Sequence, residues 1–353
     1  MKGITVRPGT PASARLEDLP EPERAEGMVL VQTLAIGVCG TDREILDGAY
    51  GTPPPGRERM VLGHESLGRV IDAPTHSGFS AGNLVAGIVR RPDPVPCASC
   101  AVGEWDMCRN GRYTEHGIKA LDGFARERFV ASPDSLVRVS DALGLRGVLL
   151  EPTSIVAKAW LQVERIGARA QWTPRRALVL GAGPVGLLAA LLGVQRGLEV
   201  HVLDRVTEGP KPTLAARLGA TYHHGTVAEA CTDIDVVLEC TGASSLVFEA
   251  MRCVAPSGIV CLAGVSSGHR LLSVDAGALN NELVLENNVV FGTVNANRTH
   301  YEAAEAALAR ADAAWLDALI ARRVPLERWS EAYEPQAGDV KTIVVFPHAA
   351  AAS

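Results

Sequence analysis

Leu178-Val179-Leu180-Gly181-Ala182-Gly183-Pro184-Val185-Gly186 is the stretch that decides the fold. An apolar run shaped like a strand enters a glycine-rich turn, and a helical pattern continues from Pro184 to about Arg196. The next strand, Glu199-Val200-His201-Val202-Leu203-Asp204, ends on an acid. Strand, G-x-G-x-x-G, helix and an acid closing the following strand form the context in which this fingerprint binds a dinucleotide. The glycines let backbone N–H groups close on a pyrophosphate at the helix N-terminus. Gly181, Gly183, Pro184, Val185, Gly186, Asp204 and Arg205 are therefore the expected cofactor-binding residues. Asp204 can accept from both ribose hydroxyls and repels a 2′-phosphate, which favours NAD. Arg205 can stack on adenine or pair a phosphate, which leaves NADP open.

Strand-like and helix-like segments alternate from about Leu150-Glu151-Pro152 to residue 290, the sign of βαβ units and a parallel sheet. Asp235–Cys240 and Gly258–Gly264 read as two more buried strands, and Thr213–Leu218 as a helix stopped by Gly219. Beyond them, Glu302–Ala321 has one helical period, Lys341–Phe346 is a last strand, and His348–Ser353 is expected to fray. Residues 1 to about 150 read differently, as all-β with irregular loops. Short apolar runs such as Met28–Val31 and Leu84–Val89 are separated by Gly and Pro clusters.

Within that first half lies a set of metal-ligating residue types. Cys39-Gly40-Thr41-Asp42 is answered by Gly63-His64-Glu65, at the end of a proline-rich loop running from Tyr50 to Arg59. A thiolate, an imidazole and a carboxylate suit a catalytic zinc with one position left open. Cys39 and His64 are the expected ligands, with Glu65 and Glu151 both candidates for the carboxylate. Cys97, Cys100 and Cys108 have the spacing of a second, structural zinc lobe, which needs a fourth donor. Asp93 or a more distant carboxylate would have to supply it.

Composition bounds the rest. A chain of 353 residues, 47% apolar and 21% charged, has room for two cores. Its net charge of −6 and lack of a basic block recommend neither nucleic acid nor a membrane surface as partner. No apolar run reaches spanning length, and the first residues lack a signal peptide's apolar core. Eight cysteines, three of them at ligand spacing, suit a reducing compartment, so the cytoplasm is expected.

The chain resembles the zinc-dependent medium-chain dehydrogenase/reductase superfamily over nearly its whole length, and looks most like the glucose dehydrogenase branch. The superfamily motifs are Gly37-Val38-Cys39-Gly40-Thr41-Asp42 and Val61-Leu62-Gly63-His64-Glu65. Asp122-Gly123-Phe124 also matches, and Glu151-Pro152-Thr153-Ser154, Leu218–Tyr222 and Gly292–Asn297 point to the branch. The resemblance implies an α/β protein with a GroES-like β-rich catalytic domain (residues 1–156 and 295–353) around a doubly wound Rossmann domain (157–294). It implies Cys39, His64 and a carboxylate on zinc, with Thr41 handling the substrate proton. Glu115, Glu151 and Asn295 are implied at the sugar, and Thr241, Val265 and Asn295 beside the cofactor. Subunits pair through Rossmann sheets in the family, implying a homodimer or homotetramer. Pro94 stands where the usual four-cysteine lobe has its first cysteine, and Ile155 where some members carry a sugar-binding Asp.

The expected reaction is zinc-dependent, NAD(P)-linked oxidation of a sugar hydroxyl, for an aldose C1 to the lactone. One alternative is a dehydrogenase of another secondary alcohol, polyol, cyclitol or amino alcohol. A non-enzymatic alternative is a cofactor-binding protein without turnover, against which the intact Cys39, His64 and Thr41 set argues.

Overall fold

The computed structural model describes residues 1–230, 233–266 and 271–352. Its contacts divide the chain into two compact units, Met1–Ser154 with Asn295–Ser353, and Ile155–Val294.

The first unit is built on a seven-stranded sheet. Its longest strand, Val29–Gly37, runs antiparallel to Glu65–Asp72, Arg128–Ala131 and Thr342–Val345. Arg322–Pro325 pairs in parallel with Thr342–Val345. The chain's end thus completes a sheet begun near its start. Val29, Val31, Ile36, Phe124, Phe129 and Val344 pack into one core at 1% exposure or less. Gly37 pairs with Glu65 in register, so the strand leading to Cys39 ends beside His64-Glu65. A methyl at Gly37 would lie 1.9 Å from Glu65 Oε2, so a larger residue there would displace the Glu65 carboxylate.

The second unit is a six-stranded parallel sheet. Its order is Thr221–His223, Glu199–Leu203, Arg176–Leu180, Val236–Glu239, Ile259–Leu262, Val289–Gly292. The sequence order reverses between Arg176–Leu180 and Val236–Glu239, the crevice where such sheets take dinucleotides. Helices on both faces require strands apolar throughout. Leu178, Val179, Leu180, Val237, Leu238 and Val260 accordingly have no exposure. The fold class is the expected one, a GroES-like β-rich part and a Rossmann part.

Local differences have identifiable causes. The first half is not purely β, because Gly40–Leu46 forms a short helix with Cys39 at its N-cap. Two helices, Arg298–Ala309 and Ala313–Leu319, replace the single one expected over Glu302–Ala321. Asp312 breaks the run by capping the second, its carboxylate accepting from Ala314 N–H at 2.7 Å. Pro347–Ala352 winds a 3-10 turn anchored by Ala349 at 2% exposure, and Ser353 lies outside the described residues.

Candidate active site

Cys39, His64 and Glu65 each offer a ligand atom within 4.8 Å of the other two. His64 and Glu65 are buried and Cys39 is half-buried. Local backbone geometry brings them together. Cys39 N–H donates to Asp42 Oδ2 at 2.9 Å, closing the first turn of the helix. Gly63 takes a φ of +88°, a left-handed conformation that turns the chain through His64 into the strand Glu65–Asp72.

The surroundings favour a cation. Burial works against charge on His64, yet Asp42 and Cys39 hold its proton, and its pKa stands well above the ordinary value. Asp42 is fully buried, its Oδ1 3.3 Å from His64 Nδ1. That contact leaves the other ring nitrogen for a metal, as metal-bound histidines with a carboxylate behind them do. Glu65 is ion-paired with Lys341, itself 2% exposed and donating to Val38 O at 2.9 Å. Burial opposes charge on Lys341 too, and the neighbouring Glu65 carboxylate overcomes this, leaving its pKa raised. Glu151 opens the helix Leu150–Gly167 and is not in the three-residue group. Burial, partly countered by His64 and reinforced by Glu65, pushes its carboxyl up to about 7. Thr41, half-buried, lies in the first turn after Cys39.

A second feature of the same unit is a buried polar set. Glu115 Oε1 accepts from Asn295 Nδ2 at 2.7 Å and from Arg90. Asn295 has a φ of +63°, held by its own Oδ1 accepting from Ala296 N–H at 2.9 Å.

Cys97, Cys100 and Cys108 also offer sulfurs within 4.8 Å of one another. Arg109 N–H donates to Cys97 Sγ at 3.4 Å and, with further backbone N–H groups, lowers that thiol to about 6. Asp93 does not join them. Its Oδ1 accepts from Val95 N–H at 2.9 Å and its Oδ2 from Asn110 Nδ2 at 2.5 Å.

In the parallel-sheet unit, Gly181 has a φ of +100°. A methyl on Gly186 would lie 1.8 Å from Gly181 O, so the helix packs against the turn only through glycine. Gly183 has nothing within 4 Å of where a Cβ would stand, an open face on the turn. Asp204 Oδ2 accepts from Ala182 N–H at 2.7 Å and from Lys211 Nζ at 3.0 Å, and Oδ1 from Val206 N–H at 3.1 Å. Its pKa is lowered although burial opposes this, because these donors favour the charged form. Thr241 follows the strand Val236–Glu239, its hydroxyl donating to Glu239 Oε1 at 2.5 Å. Val265 follows Ile259–Leu262 and is 75% exposed. Arg205 is exposed.

Sequence reasoning attached no role to Asp42, Lys341, Arg90 or Lys211. Asp42 lies inside the Cys-Gly-Thr-Asp motif and its helix position was the available signal. For Lys341 and Arg90, a charged residue beside an apolar run looks the same whether it is buried or solvated, and Lys211, between two prolines, carries no signal at all.

Comparison with known proteins is consistent with this layout. The family model described as glucose dehydrogenase C-terminus matches residues 145–346, and that of the alcohol dehydrogenase GroES-like domain matches 25–141. The glucose 1-dehydrogenase of Methanocella arvoryzae is 39% identical over 98% of this chain and 99% of its own. That of Thermoproteus tenax is 40% identical over the same shares. Among solved structures, Haloferax mediterranei glucose dehydrogenase in complex with NADP, Zn and gluconolactone superposes with a TM-score of 0.91. It is 32% identical, covering 98% of this chain and 99% of that one.

Proposed function

Because the chain belongs to the zinc-dependent medium-chain dehydrogenase/reductase superfamily, in its glucose dehydrogenase branch, we propose that it oxidises an aldose at C1 to the lactone. Zinc and a nicotinamide dinucleotide are its cofactors. The observation that carries this reading is the convergence of ligand atoms of Cys39, His64 and Glu65 within 4.8 Å of one another. A thiolate, an imidazole and a carboxylate are a fitting donor set for zinc.

When bound, zinc supplies Lewis acidity toward the substrate oxygen and the nicotinamide ring accepts the hydride. Cys39, His64 and Glu65 hold the metal, and Glu151 stands nearby as a second carboxylate. Thr41 Oγ1 takes the hydroxyl proton and passes it toward solvent. Glu115 and Asn295 receive the sugar hydroxyls. The turn Gly181–Gly186 holds the pyrophosphate with its backbone N–H groups, and Asp204, Arg205, Thr241 and Val265 border the nucleotide.

Asp204 supports NAD as the preferred form. Its ion pair with Lys211 softens the rejection of a 2′-phosphate, so NADP is accepted as well. Cys97, Cys100 and Cys108 supply three of the four donors a structural zinc in the cysteine lobe requires, and Asp93 is not the fourth. Two copies pair through the sheet edge Val289–Gly292. Among the described residues no helix is long and apolar enough to cross a membrane. The cytoplasm is the compartment that three cysteines at metal-ligand spacing support.

The test is nicotinamide absorbance with NAD and NADP across aldoses, polyols and simple secondary alcohols. Lactone formation from an aldose, fastest among these, is expected. Preference for a non-sugar alcohol would overturn the reading.

A further inference from the structure

Three hydrogen bonds converge on one oxygen of Glu115. Arg90 sits opposite Glu115 in register, on a short strand antiparallel to Thr114–His116. Arg90 Nε donates to Glu115 Oε1 at 3.1 Å, and Nη2 donates to the same oxygen at 3.0 Å. Asn295 Nδ2 adds the third bond, at 2.7 Å. Among the described residues, nothing donates to Oε2. A guanidinium fork commonly grips both oxygens of a carboxylate. Here both of its N–H groups land on one, and the other oxygen is left over.

The arginine is held as firmly as the acid. Nη1 donates to Asp106 O at 3.2 Å, and the guanidinium lies 3.6 Å over the Tyr113 ring. The side chains of Arg90 and Glu115 are 5% and 8% exposed, so this is a buried pair whose charges cancel. A carboxylate fixed in this way offers one acceptor in one direction, without the entropy cost of ordering it when substrate arrives.

We propose that Arg90 is a positioning residue for sugar recognition. By saturating Oε1 of Glu115 it leaves Oε2 as a single oriented acceptor for a substrate hydroxyl. This rests on the reading that Glu115 contacts the sugar. With the guanidinium charge cancelled inside the protein, the ligand class is a neutral aldose. The negative charge of a sugar phosphate or sugar acid would be disfavoured beside Oε2.

The test compares Arg90→Gln, Arg90→Lys and Glu115→Gln in zinc-loaded enzyme, on the best aldose, its deoxy analogues and a simple secondary alcohol. Arg90→Gln is expected to raise the aldose KM about tenfold or more, with kcat changed less than about threefold. The preference for the aldose over one deoxy analogue should shrink by a similar factor, and the constants for the simple alcohol should stay near wild type. Arg90→Lys, which can still donate to Oε1, should recover part of the preference. Arg90→Gln keeping full preference while Glu115→Gln loses it would overturn the positioning role and leave the sugar contact standing. If both keep it, the sugar contact fails and the inference fails with it. Equal losses on every substrate, together with a lowered Tm, would mark Arg90 as merely structural. Arg90→Lys supplies the comparison if the glutamine variant does not fold.

Discussion

Asp42 Oδ1 stands 3.3 Å from His64 Nδ1, with the side chains at 0% and 5% exposure. An acid sealed beside an imidazole places its charge at that edge of the ring and leaves the opposite nitrogen for a metal. Asp42→Asn should leave the fold intact and weaken zinc binding about 10- to 100-fold, the usual cost of losing such a partner. Zinc retained after dialysis against graded chelator measures it, and retention equal to wild type would contradict the role.

Thr41 is assigned the substrate proton. Thr41→Val should lower kcat by about 100-fold or more with zinc content unchanged, whereas Thr41→Ser should stay near wild type. Steady-state kinetics beside a metal assay decide it. A valine variant of full activity would remove Thr41 from the relay.

Gly186 is packed so closely against Gly181 O that any side chain displaces the helix from the turn. Gly186→Ala should destabilise the protein by about 1–3 kcal/mol and weaken dinucleotide binding. Thermal denaturation and a titration of nicotinamide fluorescence read the two effects. Unchanged affinity would place the dinucleotide elsewhere.

Glu151 carries the pH prediction. Its carboxyl is raised from 4.5 to about 7, mainly by burial. The folded state thus holds a proton more tightly than the unfolded chain does. The stability this contributes is full below about pH 4.5 and is lost as pH rises through about 7. In chelated protein, wild type should therefore lose stability relative to Glu151→Gln across that window, by roughly 2–4 kcal/mol. Parallel Tm-against-pH curves for the two would contradict the assignment.

The legible part of this protein was local. The strand, glycine turn and acid from Leu178 to Asp204 announce a parallel sheet because Gly181 and Gly186 have steric duties there. Cys39 and His64 were readable because ligand chemistry restricts residue type. Which carboxylate completes the set was not readable. Glu65 enters the group through the antiparallel register of Gly37 with Glu65, a tertiary fact. Lys341 and Arg90 were silent for the same reason: their burial depends on partners hundreds of residues away or on an opposing strand. The helical period over Glu302–Ala321 hid a break, because Asp312 fits the polar face of a helix as readily as a cap.

Zinc per chain and aldose oxidation rate, measured on the same preparations of wild type and Cys39→Ser, test the catalytic zinc most directly. The Cys39–His64–Glu65 site requires the variant to lose one zinc and its turnover together, while circular dichroism shows the fold retained. A Cys39→Ser protein that lacks that zinc and still oxidises the sugar at the wild-type rate would contradict it.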